Sequence, residues 1–129
     1  MGTRAPRARG DVITLTGVRA VGHHGVLEEE RRNGQPFTVD AVLHLDFDAA
    51  AGTDDLARTV SYAEVAERIA AIIAGEPVDL IETLAVSLAR AVLAEFPVDA
   101  VEITVHKPEA PIRVPFADVS VTVFREREG

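Results

Sequence analysis

The sequence of 129 residues contains no cysteine. Disulfide scaffolds, zinc sites built from thiolates and catalytic thiols are therefore excluded. Long apolar runs are missing as well, since the longest, Ile69 to Ala74, is far shorter than the roughly 20 residues of a membrane span. The first residues, Met1 to Pro6, contain no apolar core of a signal peptide. We therefore expect a cytoplasmic protein without membrane contact.

Basic residues are scarce outside the amino terminus. The formal net charge is -8 at pH 7, and residues 1–10 carry three arginines and no acid. The remaining chain therefore holds 10 basic and 21 acidic side chains, a net charge of -11, which argues against nucleic acid as a partner. We expect residues 1–10 to be a disordered basic tail and residues 11–126 to form a single domain.

Apolar residues that alternate along the chain predict four strands. The clearest alternation places Phe37, Val39 and Ala41 on one parity and Thr38 and Asp40 on the other. The predicted strands are Val12–Val21, Phe37–Phe47, Ala100–His106 and Val119–Arg125. A half-buried strand of this kind is typical of antiparallel sheets.

Apolar residues at helical spacing predict two helices between the second and third strands. The first begins with a capping box formed by Ser61 and Glu64 and ends near Gly75. The second follows Asp79 as N-cap and ends before Pro97. The order ββααββ indicates an α+β fold, with two helices on one face of a four-stranded antiparallel sheet. Its two free edges favour self-association.

No GxGxxG, P-loop, GxSxG or HExxH pattern is present. The four histidines offer no pair at metal-ligand spacing, and His23 and His24 are interpreted as a polar entry to a loop. The sequence therefore predicts neither a metal nor a cofactor.

Charged residues gather in two long connections, about Gly22–Pro36 and Lys107–Asp118. Glu28, Glu29 and Glu30 fit a solvated loop, although any of them could serve a site.

Lys107 has the parity of the apolar residues Val101, Ile103 and Val105, so it is predicted to face the apolar side of the sheet. There it either snorkels to solvent or is partly desolvated and suited to proton transfer.

Two further residues lie at helix starts, and each allows two interpretations. Tyr62, the only tyrosine, fits a packing role or an acid role. Glu82 follows Asp79 by three residues, where a carboxylate can stabilise the helix start, bind a ligand, or do both.

Four motifs in a fixed order resemble dihydroneopterin aldolase of folate biosynthesis, over residues 11–126. The motifs are HGVLEEER (24–31) with GQPF (34–37), TVSY (59–62), LIET (80–83) and HKPEAPI (106–112). The resemblance implies the tunnelling fold, closed into an oligomeric barrel by rings of four subunits, with a homo-octamer of two stacked rings expected. It implies that 7,8-dihydroneopterin is cleaved to 6-hydroxymethyl-7,8-dihydropterin and glycolaldehyde, without metal or Schiff base. Side-chain epimerisation can accompany cleavage in the family, and active sites are implied between adjacent subunits.

By position, the resemblance implies that Lys107, Tyr62 and Glu30 are catalytic and that Glu82 receives the amino group and N–H of the pterin. The segments implied to border the ring are the backbone at Ile81, Val60 and Ser61. Lys107, through water, is expected to help remove a hydroxyl proton and Tyr62 to protonate the departing centre, or the two exchange roles. Glu30 would orient the substrate tail or the water.

Two other functions stay open. An epimerase acting on the triphosphate of the substrate would need additional basic residues, for which Arg31, Arg32 and Arg113 are the nearest candidates. A non-catalytic pterin-binding protein would keep Glu82 while Lys107 is inert.

Overall fold

Four antiparallel strands form one sheet in the computed structural model, which describes residues 10–128. The strands are β1 (Val12–Gly22), β2 (Gln35–His44), β3 (Ala100–His106) and β4 (Ser120–Glu126), and they lie in chain order across the sheet. The helices are α1 (Glu28–Asn33), α2 (Asp48–Thr53), α3 (Tyr62–Ile73) and α4 (Ile81–Glu95), with a 3₁₀ turn at Leu56–Arg58. The predicted α+β class and the ββααββ order of the long elements are confirmed. The predicted basic tail, apart from Gly10, lies outside the described residues.

One face of the sheet is buried beneath α3 and α4. Phe37, Val39, Ala41 and Leu43 of β2 are fully buried, on the parity that the sequence predicts. The large helix residues in the same core are Val65, Ile69 and Ile73 of α3, and Leu84, Leu88 and Val92 of α4. Burial of each large apolar side chain stabilises the fold by about 1.5–3 kcal/mol. The core therefore holds α3 and α4 in place on the sheet.

The predicted N-cap of α3, Ser61, is confirmed, but the predicted N-cap of α4 is not. Ser61 Oγ accepts a hydrogen bond from the Glu64 N–H at 3.4 Å. At α4 the N-cap position belongs to Leu80, so the prediction that Asp79 caps the helix is wrong. The Asp79 carboxylate pairs instead with Arg31 of α1, a long-range partner that local capping rules do not consider. Glu82 is therefore the second residue of the helix.

The end of α4 is fastened by a side chain from beyond β4. The Arg127 guanidinium donates hydrogen bonds to three carbonyl oxygens, those of Leu93 (2.6 Å), Phe96 (2.8 Å) and Val98 (2.9 Å). These carbonyls lie at and after the last turn of the helix, where intrahelical partners run out. Arg127 thus joins the edge of the sheet to the helix that covers it.

Three short elements were not predicted from the sequence, namely α1, α2 and the 3₁₀ turn. α1 has six residues and no apolar stripe, so periodicity could not reveal it, although its acidic first turn and basic last turn suit the helix dipole. The second strand also ends earlier than predicted, at His44. Beyond it, Asp11 accepts hydrogen bonds from Leu45 N–H (3.2 Å) and Phe47 N–H (2.9 Å), and the chain turns into α2.

A bulge in β1 connects it to a side chain of β2. The register shifts between Leu15 and Val18, and Gly17 adopts φ +79°, which favours glycine. The Gly17 N–H donates to Asp40 Oδ1 at 2.8 Å.

β1 and β4 form the two edges of the sheet, and within residues 10–128 each pairs with a single neighbour. None of the helices in this part of the chain has the length and apolar character needed to cross a bilayer.

Candidate active site

A cavity of about 370 Å³ opens where α1, the start of α4 and the loop after β3 meet. Because neighbouring strands are antiparallel, the last residues of β1, the first of β2 and the last of β3 lie at the same end of the sheet. Four of the predicted site residues line the cavity: Glu30, Ile81, Glu82 and Lys107. Apolar contacts are added by Leu27, Leu80, Pro111 and Val119.

Glu30 and Lys107 form a buried ion pair in this cavity. The Lys107 Nζ lies 2.6 Å from Glu30 Oε2, with the side chains 12% and 7% exposed, respectively. The prediction that Lys107 faces the apolar side is confirmed, and its Nζ also lies 5.9 Å from the centre of the Phe37 ring. Glu28 and Glu29 are exposed, whereas the solvated-loop interpretation is wrong for Glu30.

The Glu30 carboxylate is fully engaged. Its Oε1 accepts the Leu27 N–H at 3.1 Å, and its Oε2 accepts Gln35 Nε2 at 3.3 Å in addition to Lys107. Burial alone would raise the pKa of Glu30, but the hydrogen bonds from Lys107 and the Leu27 N–H outweigh it and hold the pKa below its usual value. Glu30 is therefore a carboxylate at neutral pH, and Lys107 is its counter-ion.

Gly25 makes room for this carboxylate. It adopts φ +145°, and a Cβ at this position would come within 2.3 Å of the Glu30 carboxyl carbon. Only glycine can combine this backbone conformation with so close an approach. The His-Gly step of the first motif thus allows the turn that brings Glu30 inside.

Arg31 ties α1 to the segment before α4. Its Nε donates to the Gly25 carbonyl at 2.9 Å, its guanidinium pairs with Asp79, and its own carbonyl accepts His23 Nδ1 at 2.8 Å. Arg32 is exposed and lies 4.0 Å from Glu28. Arg31 therefore links α1, on one side of the cavity, to the segment before α4 on the other side.

His24 is buried and is not the polar loop entry expected from the sequence. Its Nδ1 accepts the Val78 N–H at 3.1 Å and its Nε2 donates to the Ile73 carbonyl at 2.7 Å, which defines a neutral ring. Burial lowers the pKa of His24, in keeping with this form. The ring packs edge-on against Phe37, with centroids 5.2 Å apart. His24 thereby fixes the segment leading to Leu80.

Glu82 occupies the first turn of α4 on the open side of the cavity, where it is exposed to solvent. Ile81 is the first residue of the same helix. The first N–H groups of a helix have no intrahelical acceptor. Glu82 and this helix start together offer both acceptors and donors to a polar, flat ligand.

The other three predicted residues are not brought to this cavity within one chain. Val60 is buried in the core, Ser61 caps α3, and Tyr62 is 59% exposed. The 12 residues of α3 span about 18 Å, and its far end, Ile73, is the one that contacts His24. Tyr62 therefore lies at the opposite end of the sheet from Lys107.

Possible metal ligands lie elsewhere in the described part of the chain. Within residues 10–128, Asp11, Asp46 and Asp48 form the only group of three ligand side chains close enough to share an ion, and all three are exposed. They do not line the cavity that contains Glu30 and Lys107.

The ββααββ fold, with a cavity in which Glu30, Glu82 and Lys107 lie among apolar side chains, is that of the tunnelling-fold class. The sequence profile of dihydroneopterin aldolase matches residues 13–124. The dihydroneopterin aldolase of Streptomyces coelicolor is 54% identical over 117 residues, covering 91% of this chain and 98% of that protein. This chain belongs to the dihydroneopterin aldolase family.

Solved structures agree with this assignment. The dihydroneopterin aldolase of Escherichia coli, in complex with neopterin, superposes with a TM-score of 0.82 at 30% identity, covering 90% of this chain and 99% of that one. The dihydroneopterin aldolase of Burkholderia thailandensis, bound to guanine, has a TM-score of 0.75 at 25% identity and covers 95% of this chain and 97% of that one.

Proposed function

We propose that this protein cleaves 7,8-dihydroneopterin by a retro-aldol reaction to 6-hydroxymethyl-7,8-dihydropterin and glycolaldehyde, a step of folate biosynthesis. The observation that carries the proposal is the buried Glu30–Lys107 pair beside Glu82 in one cavity of a chain that belongs to this family. A cavity of about 370 Å³ lies within the usual range for small-molecule sites, roughly 300–1,000 Å³.

Glu82 is the proposed anchor of the pterin ring. A carboxylate at this position can accept hydrogen bonds from the amino group and the neighbouring ring N–H at once, a charge-assisted, two-point contact. The Ile81 backbone, at the helix start, borders the same space. The E. coli relative in complex with neopterin supports a pterin as the ligand of this fold.

The bond that breaks joins the first two carbons of the substrate side chain. Loss of the proton from the hydroxyl on the second carbon lets that carbon leave as the aldehyde of glycolaldehyde. The bonding electrons move onto the first carbon and into the adjacent C=N of the ring, and a proton added to the first carbon completes the hydroxymethyl group. The substrate supplies its own electron sink, so the protein has only to bind, orient and move protons.

Lys107 and Glu30 are the proposed groups at the hydroxyl. Lys107 Nζ faces both Glu30 and the cavity, so it can release one ammonium proton to solvent and then, as the amine, take the hydroxyl proton through a water molecule while Glu30 holds its position. Tyr62 is the proposed donor to the first carbon.

Tyr62 would reach this site from a second copy of the chain, together with the backbone of Val60 and Ser61. The distance along α3 supports this arrangement, since Tyr62 is far from Lys107 of its own chain and its ring is exposed. The outer strands β1 and β4 offer the edges through which copies could pair into a closed barrel. We propose a ring of four copies, stacked in pairs as an octamer, with each copy contributing one folded unit of residues 11–126.

Charge in the cavity disfavours the triphosphate epimerase. Among residues 10–128, Lys107 is the only basic side chain lining the cavity, against the three carboxylates of Glu30, Asp79 and Glu82. Arg31 is already paired and Arg32 points to solvent beside Glu28. A triphosphate would meet net negative charge from this chain.

The absence of cysteine fits the reducing cytoplasm, which we propose as the location.

The test is release of glycolaldehyde from 7,8-dihydroneopterin by the purified protein. Lys107→Ala should lose most turnover while binding neopterin within about threefold of wild type, because the Glu82 contacts remain. Arg32→Ala, which removes an exposed basic side chain of α1, is the control and should turn over like wild type. Binding without any turnover by wild type would support the non-catalytic alternative, and unchanged turnover by Lys107→Ala would refute the role of Lys107.

A further inference from the structure

A second charged cluster lies on the face of the sheet opposite the helices, directly behind Lys107. His106 is the last residue of β3, and its ring points away from the side that Lys107 faces, because side chains alternate along a strand. His106 Nδ1 lies 2.7 Å from Asp118 Oδ2, and Nε2 lies 2.7 Å from Asp40 Oδ2. Asp40 Oδ1 also accepts the Gly17 N–H of the β1 bulge at 2.8 Å. We call Gly17, Asp40, His106 and Asp118 the His106 cluster.

The geometry of this cluster defines the charge of the ring. Each ring nitrogen faces a carboxylate oxygen, and a carboxylate can only accept, so both nitrogens must donate. His106 is therefore an imidazolium, and its ring is only 27% exposed. The hydrogen bonds to Asp118 and Asp40 raise the pKa of His106 above its usual value. The facing groups are Asp40 from β2, Asp118 from the loop, and, through Asp40, the Gly17 N–H from β1.

The cluster closes the base of the loop 107–119. The Lys107 N–H donates to the Val119 carbonyl at 2.8 Å, and Asp118 is the residue before Val119. The backbone bond and the His106–Asp118 pair are therefore two adjacent fastenings of the same loop. This loop carries Lys107 at one end, and its residues Ala110, Pro111 and Val119 line the cavity.

We infer that His106 is a positioning residue, which as an imidazolium between Asp40 and Asp118 fixes the base of the loop 107–119 and so holds Lys107 against Glu30. The inference rests on the proposed function for its effect on turnover. Its physical basis is that the position of Lys107 Nζ depends on the backbone at residue 107, and a displacement of about 1 Å can cost a reaction up to 100-fold. The cluster itself is on the far face of the sheet and does not touch the cavity.

Asp118→Asn and His106→Gln test this inference, because each removes charge from the cluster at nearly constant size. Thr104→Val is the matched control, since it lies two residues earlier on the same face of β3, opposite Asp40, and loses a hydroxyl contact to Thr122 of 2.8 Å while every charge of the cluster is kept. We expect kcat to fall about tenfold in the first two variants and to stay near wild type in Thr104→Val. The dissociation constant for neopterin should stay within about twofold of wild type in all three, because Glu82 is unchanged.

Nuclear magnetic resonance provides a readout that does not depend on turnover. Lys107 is the only lysine of the chain, so its side-chain ¹⁵Nζ and ¹³Cε signals report on this site alone. Asp118→Asn should shift these signals and Thr104→Val should leave them in place, while the ring of His106 in wild type should carry protons on both nitrogens at pH 7.

These measurements distinguish failure of the proposed function from failure of the positioning role of His106. If wild type releases no glycolaldehyde, the proposed function fails, and a Lys107 signal that moves in Asp118→Asn still supports the positioning role. If wild type is active but Asp118→Asn and His106→Gln match Thr104→Val in kcat and in the Lys107 signals, the positioning role is overturned. A neutral His106 ring at pH 7 would overturn it as well.

Discussion

Replacing Glu30 with glutamine removes the negative charge beside Lys107 while keeping the size of the side chain. The amide can still accept the Leu27 N–H, which lies 3.1 Å from the carboxylate in wild type, but the 2.6 Å charge-assisted contact with Lys107 is lost. Removing one partner of a buried ion pair costs roughly 3–5 kcal/mol. Because the cavity lets water reach Lys107, we expect the free energy of unfolding to fall by about 2 kcal/mol.

Urea unfolding at pH 7 measures this loss, at one fixed protomer concentration because self-association would shift the midpoint. Glu29→Gln is the control, since Glu29 is the exposed neighbour, and its effect should stay within about 0.5 kcal/mol. The folded-state pKa of Glu30 is lowered, so the stability that the pair provides is present above the unfolded pKa and is lost as pH falls through the folded pKa. The difference between wild type and Glu30→Gln should therefore narrow toward acid pH. Equal stability of Glu30→Gln and Glu29→Gln at pH 7 would show that the Glu30–Lys107 pair does not stabilise the fold.

Three further changes test other parts of the structure. Gly25→Ala places a Cβ 2.3 Å from the Glu30 carboxyl carbon at φ +145°, so urea unfolding should show a loss of about 2 kcal/mol or more and turnover should fall. Gly52→Ala, where a Cβ meets nothing within 4 Å, is its control and should be neutral or stabilising. Arg127→Met removes a donor from three carbonyls at the end of α4, of which that of Phe96 keeps a second donor, the Val98 N–H, and should lower the unfolding free energy by about 1–3 kcal/mol. No change would show that water replaces the guanidinium. Burial lowers the pKa of His24, so the stability that His24 contributes should decline as pH falls below the pKa of the unfolded state. The difference in unfolding free energy between wild type and His24→Gln should therefore narrow over that range. A pH-independent difference would contradict the neutral ring.

Backbone alternation explains why much of the fold could be predicted. The parity of β2 follows from the period of two along a strand, and the same rule placed Lys107 on the apolar side before any partner was known. Helix lengths followed from the spacing of apolar residues in the same way. These are local properties, and each requires only a few neighbouring residues to be read.

The partner of Lys107 could not be predicted from local patterns. Glu28, Glu29 and Glu30 are alike in sequence, and only the turn at Gly25 and the short helix α1 bring the third of them inside. The glycine before the acidic run was the available signal, because a positive φ allows the chain to turn sharply. The prediction that Asp79 caps α4 was wrong for the same reason, because its partner Arg31 lies far away along the chain.

The His106 cluster shows the same limit on the other face of the sheet. Its pairs depend on the register that sets His106 opposite Thr38 and next to Asp40, and on the return of the chain at Asp118. A single histidine before the lysine of the fourth motif gives no sign of either carboxylate. Side-chain pairs across strands become visible only when register and loop path are known.

In the proposed function, the Lys107 cavity of one copy and Tyr62 of another form the active site together. Lys107→Ala and Tyr62→Phe proteins, each nearly inactive alone, should recover glycolaldehyde release when they are co-assembled. Random pairing of equal amounts would give intact sites at about a quarter of the interfaces, and so about a quarter of wild-type activity. Co-assembled proteins that stay inactive, or Tyr62→Phe protein that is fully active alone, would refute a site shared between two copies.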